Sequence, residues 1–134
     1  MNLITDRTRA DVMAGNEKGR YTPRDLDRVE QTVEKLCKLM GALDIPLDLT
    51  VYTNWQKTRN VPTAETMERY LHNVRILAQR MGLTPQLPES MENLDYQGAN
   101  RIELALQMAQ DKIQGILGTF QMSGELSAGE ENEL

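Results

Sequence analysis

The chain has 134 residues, 40% hydrophobic and 26% charged, which suits one globular domain and excludes wholesale disorder. Its formal charge of −5 is uneven: Ser123 to Leu134 hold Glu125, Glu130, Glu131 and Glu133 with no base, leaving 16 acids against 15 bases elsewhere. A near-neutral body without a basic block carries no electrostatic footprint for nucleic acid.

Cys37 is the single cysteine, so an internal disulfide is excluded and nothing suggests a stapled secreted scaffold. The N-terminus lacks the apolar run of a signal peptide. No stretch approaches the roughly 20 apolar residues needed to cross a bilayer, so no membrane role is expected. Low aromatic content beside 8 methionines fits helical cores that fill gaps with flexible thioethers.

Four helical segments are predicted. The first opens at Thr8, where Asp11 three residues on completes a hydroxyl–acid capping pattern, and it fades into Gly15-Asn16-Glu17-Lys18-Gly19. The second opens at Thr22 with Pro23 at the first helical position. Its stripe of Leu26, Val29, Val33, Leu36, Cys37, Met40 and Leu43 is about 120° wide, and Gly41 and Pro46 bracket its end.

Between Leu47 and Asn60, Leu47, Leu49 and Val51 alternate with polar residues, the pattern of a short extended segment. A lone strand cannot form a sheet, so an extended crossover draped on helices is expected. This stretch holds Trp55, the single tryptophan, which reads either as a plug at the core edge near Met67 or as a partner contact.

The third helix starts at Thr63 after Pro62, carries Glu65 in its first turn, and ends at Gly82. Met67, Tyr70, Leu71, Val74, Leu77, Ala78 and Met81 form its stripe. Asp95 caps the last and longest helix, predicted from about Tyr96 to Phe120. Ala99, Ile102, Leu106, Ala109, Ile113, Ile116, Leu117 and Phe120 make its inner face, while Gly115 and Gly118 suggest fraying or a close helix crossing.

The expected fold is all-α: a small bundle of three long helices plus a short N-terminal helix, with one extended crossover. Residues 1–122 form the single helical domain, and 123–134 a solvated acidic tail.

Chemistry is scarce. One histidine, His72, and one cysteine on different helices make no metal or haem site, and no cofactor is expected. Cys37 lies inside its helix's stripe and reads as an inert buried thiol, whereas His72 points away from its own stripe. No serine sits in a nucleophile elbow, and no glycine loop follows the Walker pattern. Glu30 and Glu34, one turn apart beside Lys35 and Lys38, read as acids facing water. About twenty residues separate the second and third helices, far more than a helix-turn-helix allows. No enzyme activity or small-molecule substrate is expected.

The sharper signal is apolar residues on outer faces. Leu104 and Met108 stand 140–180° from the main stripe of the last helix, at about 100° per residue, and Ile76 lies opposite Met67. They read either as scattered surface hydrophobes or as a docking face for a neighbouring subunit.

Several segments, in order, carry a resemblance. They are Asn2-Leu3-Ile4-Thr5-Asp6-Arg7-Thr8 with Ala10-Asp11-Val12, Asp25-Leu26 with Arg28-Val29-Glu30, and Trp55. Pro62-Thr63, Met67, Arg69-Tyr70-Leu71 and Asn73-Val74-Arg75 follow, then Ser90-Met91, Leu94, Tyr96, Ala99-Asn100 and Ile102-Glu103. The set, spanning residues 2–103, resembles a helical module of uncharacterised tail or baseplate-region structural proteins from phages and prophages of Firmicutes-type bacteria. The link before Thr22 is shorter than in that module, and the acidic end is this chain's own.

The resemblance implies a virion or assembly role without enzyme activity. It implies contact with other phage structural proteins, many copies in a homo-oligomer or symmetric assembly, and location in the virion after synthesis in the host cytoplasm. It supplies no functional residues to carry over. A second expectation is a soluble phage-encoded adaptor, assembly chaperone or regulator that binds its protein partner transiently, motivated by modest size and the acidic end.

Overall fold

Each helix begins where a side chain satisfies the first free backbone N–H groups. In the computed structural model, which describes residues 3–58 and 60–128 with α5 side chains only through Gly118, α1 spans Arg9–Ala14. Thr8 and Asp11 bond reciprocally at its start, and Gly15 closes it in the left-handed region. Helix α2, Pro23–Ala42, opens after Thr22, whose N–H and hydroxyl both donate to the Asp25 carboxylate at 2.6 and 3.1 Å. Helix α4, Ala64–Arg80, uses Thr63 and Thr66. Helix α5, Tyr96–Ala128, is capped by Asp95, whose Oδ1 accepts from the Gly98 N–H at 2.7 Å.

The chain is all-helical, with five helices and no strand among the described residues. The helix not foreseen is α3, the single turn Trp55–Thr58 inside the expected crossover. Asp27 of α2 creates it by accepting the backbone N–H of Trp55 at 2.8 Å and of Gln56 at 3.1 Å, a cap delivered from another helix.

Helices α2, α4 and α5 contact one another in all three pairings, and α3 packs on α2. Val29, Val33, Leu36 and Met40 from α2 meet Tyr70, Val74 and Leu77 from α4 and Ile102, Leu106 and Ile113 from α5 in one cluster. The apolar stripes therefore largely do what their spacing predicts: Cys37, Leu43, Met67 and Leu117 are half-buried at their margins, and Ile116 is 37% exposed. The Phe120 side chain lies outside the described residues.

The segment Ile45 to Tyr52 is extended without pairing to a strand. Ile45, Leu47, Leu49 and Val51 are half-buried against the core, while Pro46, Asp48 and Thr50 face water. Its backbone polar groups are answered by helix side chains. Glu30 accepts the Tyr52 N–H at 2.9 Å, and the Thr50 carbonyl accepts from Arg69 at 2.9 Å and Asn73 at 2.7 Å.

Two further glycines are dictated by geometry. Gly82 ends α4 at φ +76, a conformation that a Cβ disfavours. Gly19 presses the loop onto α1 so closely that a Cβ there would lie 2.2 Å from the Asp11 carbonyl oxygen. The helical run of α5 passes both Gly118 and the expected tail boundary at Ser123, and residues 129–134 lie outside the described residues.

Candidate protein-contact face

Buried charge organises the inside of this molecule and leaves apolar residues outside. Glu103, fully buried on α5, accepts from Arg7 Nη2 at 2.6 Å, from Arg28 Nε and Nη2 at 2.7 Å each, and from the Ile4 N–H at 2.9 Å. Arg7 also reaches Asp25 at 3.2 Å, and Asn100 bonds both the N–H and the carbonyl of Arg7. The N-terminal segment is thus pinned between α2 and α5. One face of the Arg7 guanidinium lies over the Tyr21 ring at 5.5 Å, a cation–π contact, and its Nε finds no acceptor among the described residues.

A second network centres on Glu30. Its carboxylate accepts from Arg69 at 2.7 and 3.0 Å and from the Trp55 indole Nε1 at 2.6 Å. This corrects the expectation that Glu30 faces water with Glu34: Glu30 is 2% exposed, while Glu34 is exposed. An acceptor placed inside lets the indole bury its whole ring. Trp55 is accordingly 3% exposed, edge-on to Tyr52, and is removed from the surface as a partner contact.

Burial and Glu103 act oppositely on Arg28: desolvation lowers its pKa, but the Glu103 and Asp25 bonds override this and raise it. Burial raises the phenols of Tyr21 and Tyr70, whose hydroxyls bond each other. Burial also raises the Cys37 thiol, helped by the charge of Asp48, which disfavours the reactive thiolate. The Asp11 carboxyl is held below 3.8, chiefly by the Asn16 amide and the Thr8 cap.

These networks were missed in the sequence because a helix read by its apolar stripe assigns flanking charges to water. One signal was present. Asp25 and Glu30 stand on opposite shoulders of the α2 stripe, within about 60–85° of its centre at 100° per residue, where a side chain still reaches the interior.

Three hollows mark the described surface, one of about 390 Å³ by Glu17, Arg20, Arg24 and Gln56. A groove of about 900 Å³ runs beside the start of α4, where Met67, Leu71 and Met91 meet His72, Arg75 and Glu89. A smaller hollow of about 300 Å³ sits by Arg7, Tyr21 and Tyr96. His72 is exposed at the groove, and no His, Cys, Asp or Glu cluster able to hold a metal occurs among the described residues. No helix among them is long and apolar enough to cross a membrane.

Apolar residues are open to water at Val12 and Met13 on α1, at Val61, and on the outer face of α5. Leu104 is 45% and Met108 41% exposed, one turn apart. Gln97, Arg101, Asp111 and Gly115, also exposed, continue the same face. At 100° per residue the six fall in a strip about 80° wide, and their spacing alternates between four and three. Nothing lies within 4 Å of a Cβ built on Gly115 or Gly118, so neither glycine serves a close crossing within the described chain. Ile76, on α4, is half-buried and less open than Leu104 or Met108.

The chain matches no protein family, no curated protein and no solved structure.

Proposed function

We propose that this chain is a non-enzymatic structural protein of a phage or prophage particle, associated with its tail or baseplate, that works through protein–protein contacts. In this reading α2, α4 and α5 form one small bundle over residues 1–122, ahead of an acidic tail, and the outer face of α5 is the docking surface. The observation that carries it is the pairing of Leu104 with Met108, large apolar side chains left open to water one turn apart, on a helix whose inner face is already filled. The ordered resemblance to the phage module supports the setting. Ile76 is a secondary candidate contact.

Quantitative mass spectrometry of purified particles tests the setting: a fixed copy number is expected, and absence contradicts it in favour of a transient adaptor or assembly chaperone. The contact is tested by Leu104→Lys with Met108→Lys, expected to abolish incorporation. Incorporation at the normal level would remove this face from the account.

A further inference from the structure

We propose that the outer face of α5 pairs with the same face of a second copy of this chain, antiparallel, about a two-fold axis beside Leu106. The inference rests on the contact reading above and names the partner of that face.

A two-fold interface must complement itself: if one residue meets a second across the axis, the second meets the first. Two antiparallel helices centred at position 106 bring together residues whose numbers mirror each other about that point. On the α5 outer face this sets Leu104 against Met108 of the second copy, Arg101 against Asp111, and Gln97 against Gly115. Every pair is matched in chemistry. The two apolar side chains meet at the centre, opposite charges flank them, and the long Gln97 side chain meets a position where nothing lies within 4 Å of a Cβ.

The charges that would close the pair are available. Arg101 and Asp111 are exposed, and neither takes part in an ion pair among the described residues; Asp111 accepts one bond from Gln107 at 2.9 Å. The neighbouring cation Lys112 is drawn away, donating to the Met81 carbonyl at 2.6 Å.

Direction and register follow from the same pattern. Parallel helices would set Arg101 against Arg101 and Asp111 against Asp111, which like charge opposes. Sliding the antiparallel pair by one heptad sets Met108 against Asp111 one way, or Arg101 against Leu104 the other. The alternating four-three spacing is the repeat that keeps one seam facing a partner helix. Four apolar side chains on one short seam make a contact below the roughly 1,200 Å² of stable complexes. The dimer is therefore weak, with Kd in the micromolar range, and suited to copies already held close in an assembly.

Sedimentation equilibrium on the full chain up to millimolar concentration is the test. The wild type is expected to dimerise reversibly. Arg101→Asp or Asp111→Arg alone is expected to weaken the dimer at least tenfold, and the two together to restore it to within threefold. Circular dichroism checks that each variant folds. Gln97→Cys carrying a nitroxide, in a Cys37→Ser background, supplies the direction. Antiparallel pairing places the two labels about 27 Å apart along the axis, and parallel pairing about 10 Å apart.

A wild-type monomer throughout, single reversals without effect, failure of the double reversal to restore pairing, or the short label distance each overturns the proposal. If the wild type is monomeric while Leu104→Lys with Met108→Lys still abolishes particle incorporation, the docking reading stands and self-pairing alone falls.

Discussion

Glu30 and Glu34 sit one turn apart on α2 and look interchangeable in the sequence, yet their surroundings separate them completely. Glu30 is enclosed by Arg69, Trp55 and the Tyr52 N–H, whereas Glu34 faces water. Removing one member of a buried charge network leaves its partners uncompensated, which costs about 3–5 kcal/mol. Surface changes usually stay within about 0.5 kcal/mol. Glu103→Gln is therefore expected to lower unfolding stability by roughly 3 kcal/mol, and Glu34→Ala to leave the urea midpoint unchanged. Similar midpoints for both variants would mean that the Arg7–Arg28–Glu103 cluster does not hold the N-terminal segment.

The Tyr21–Tyr70 hydroxyl pair gives a second residue-scale expectation. Burial raises both phenols above their ordinary value of 10.0. The unfolded chain then loses these protons first, so the pair's stabilisation is complete below about pH 10 and is lost as pH climbs further. The urea midpoint is expected to fall above pH 10 in the wild type, and less steeply in Tyr21→Phe with Tyr70→Phe. Parallel pH curves for the two proteins would remove this pair from the alkaline response.

At the scale of elements, the sequence was most legible where the signal is local. Thr8, Thr63 and Asp95 each cap the helix that they were expected to start, and α2 starts after Thr22 as expected, because a cap needs only side chain and backbone a few residues apart. The stripes of α2 and α4 were legible for the same reason. Helix α3 was not, because its cap comes from Asp27, 28 residues before Trp55. The ion pairs Glu30–Arg69, Arg28–Glu103 and Arg7–Glu103 join residues 39, 75 and 96 positions apart, and no pattern within one helix announces them. Leu104 and Met108 were legible as apolar residues on an outer face, and Trp55 takes the core-edge reading, with Glu30 answering its indole.

Two glycine substitutions are expected to act with opposite sign. Gly115→Ala removes a helix-weakening residue where nothing crowds the new methyl, and is expected to stabilise by about 1 kcal/mol. Gly19→Ala drives a methyl into the Asp11 backbone and is expected to cost about 1–3 kcal/mol. Chemical denaturation of both variants checks the pair, and the same sign for both would contradict the packing described for α1 and its loop.

For the molecule as a whole, the interior is closed: apolar stripes fill the centre, and two charge networks seal its ends against the N-terminal segment and the extended crossover. Under the proposed reading, stability and association depend on different residues. The face of Leu104 and Met108 contributes to neither network and to no part of the buried cluster. The most direct measurement sets unfolding free energy and sedimentation side by side for wild type and for Leu104→Lys with Met108→Lys. The expected result is stability unchanged within about 0.5 kcal/mol and association lost. Unchanged association, or a collapse of stability together with it, would contradict the account.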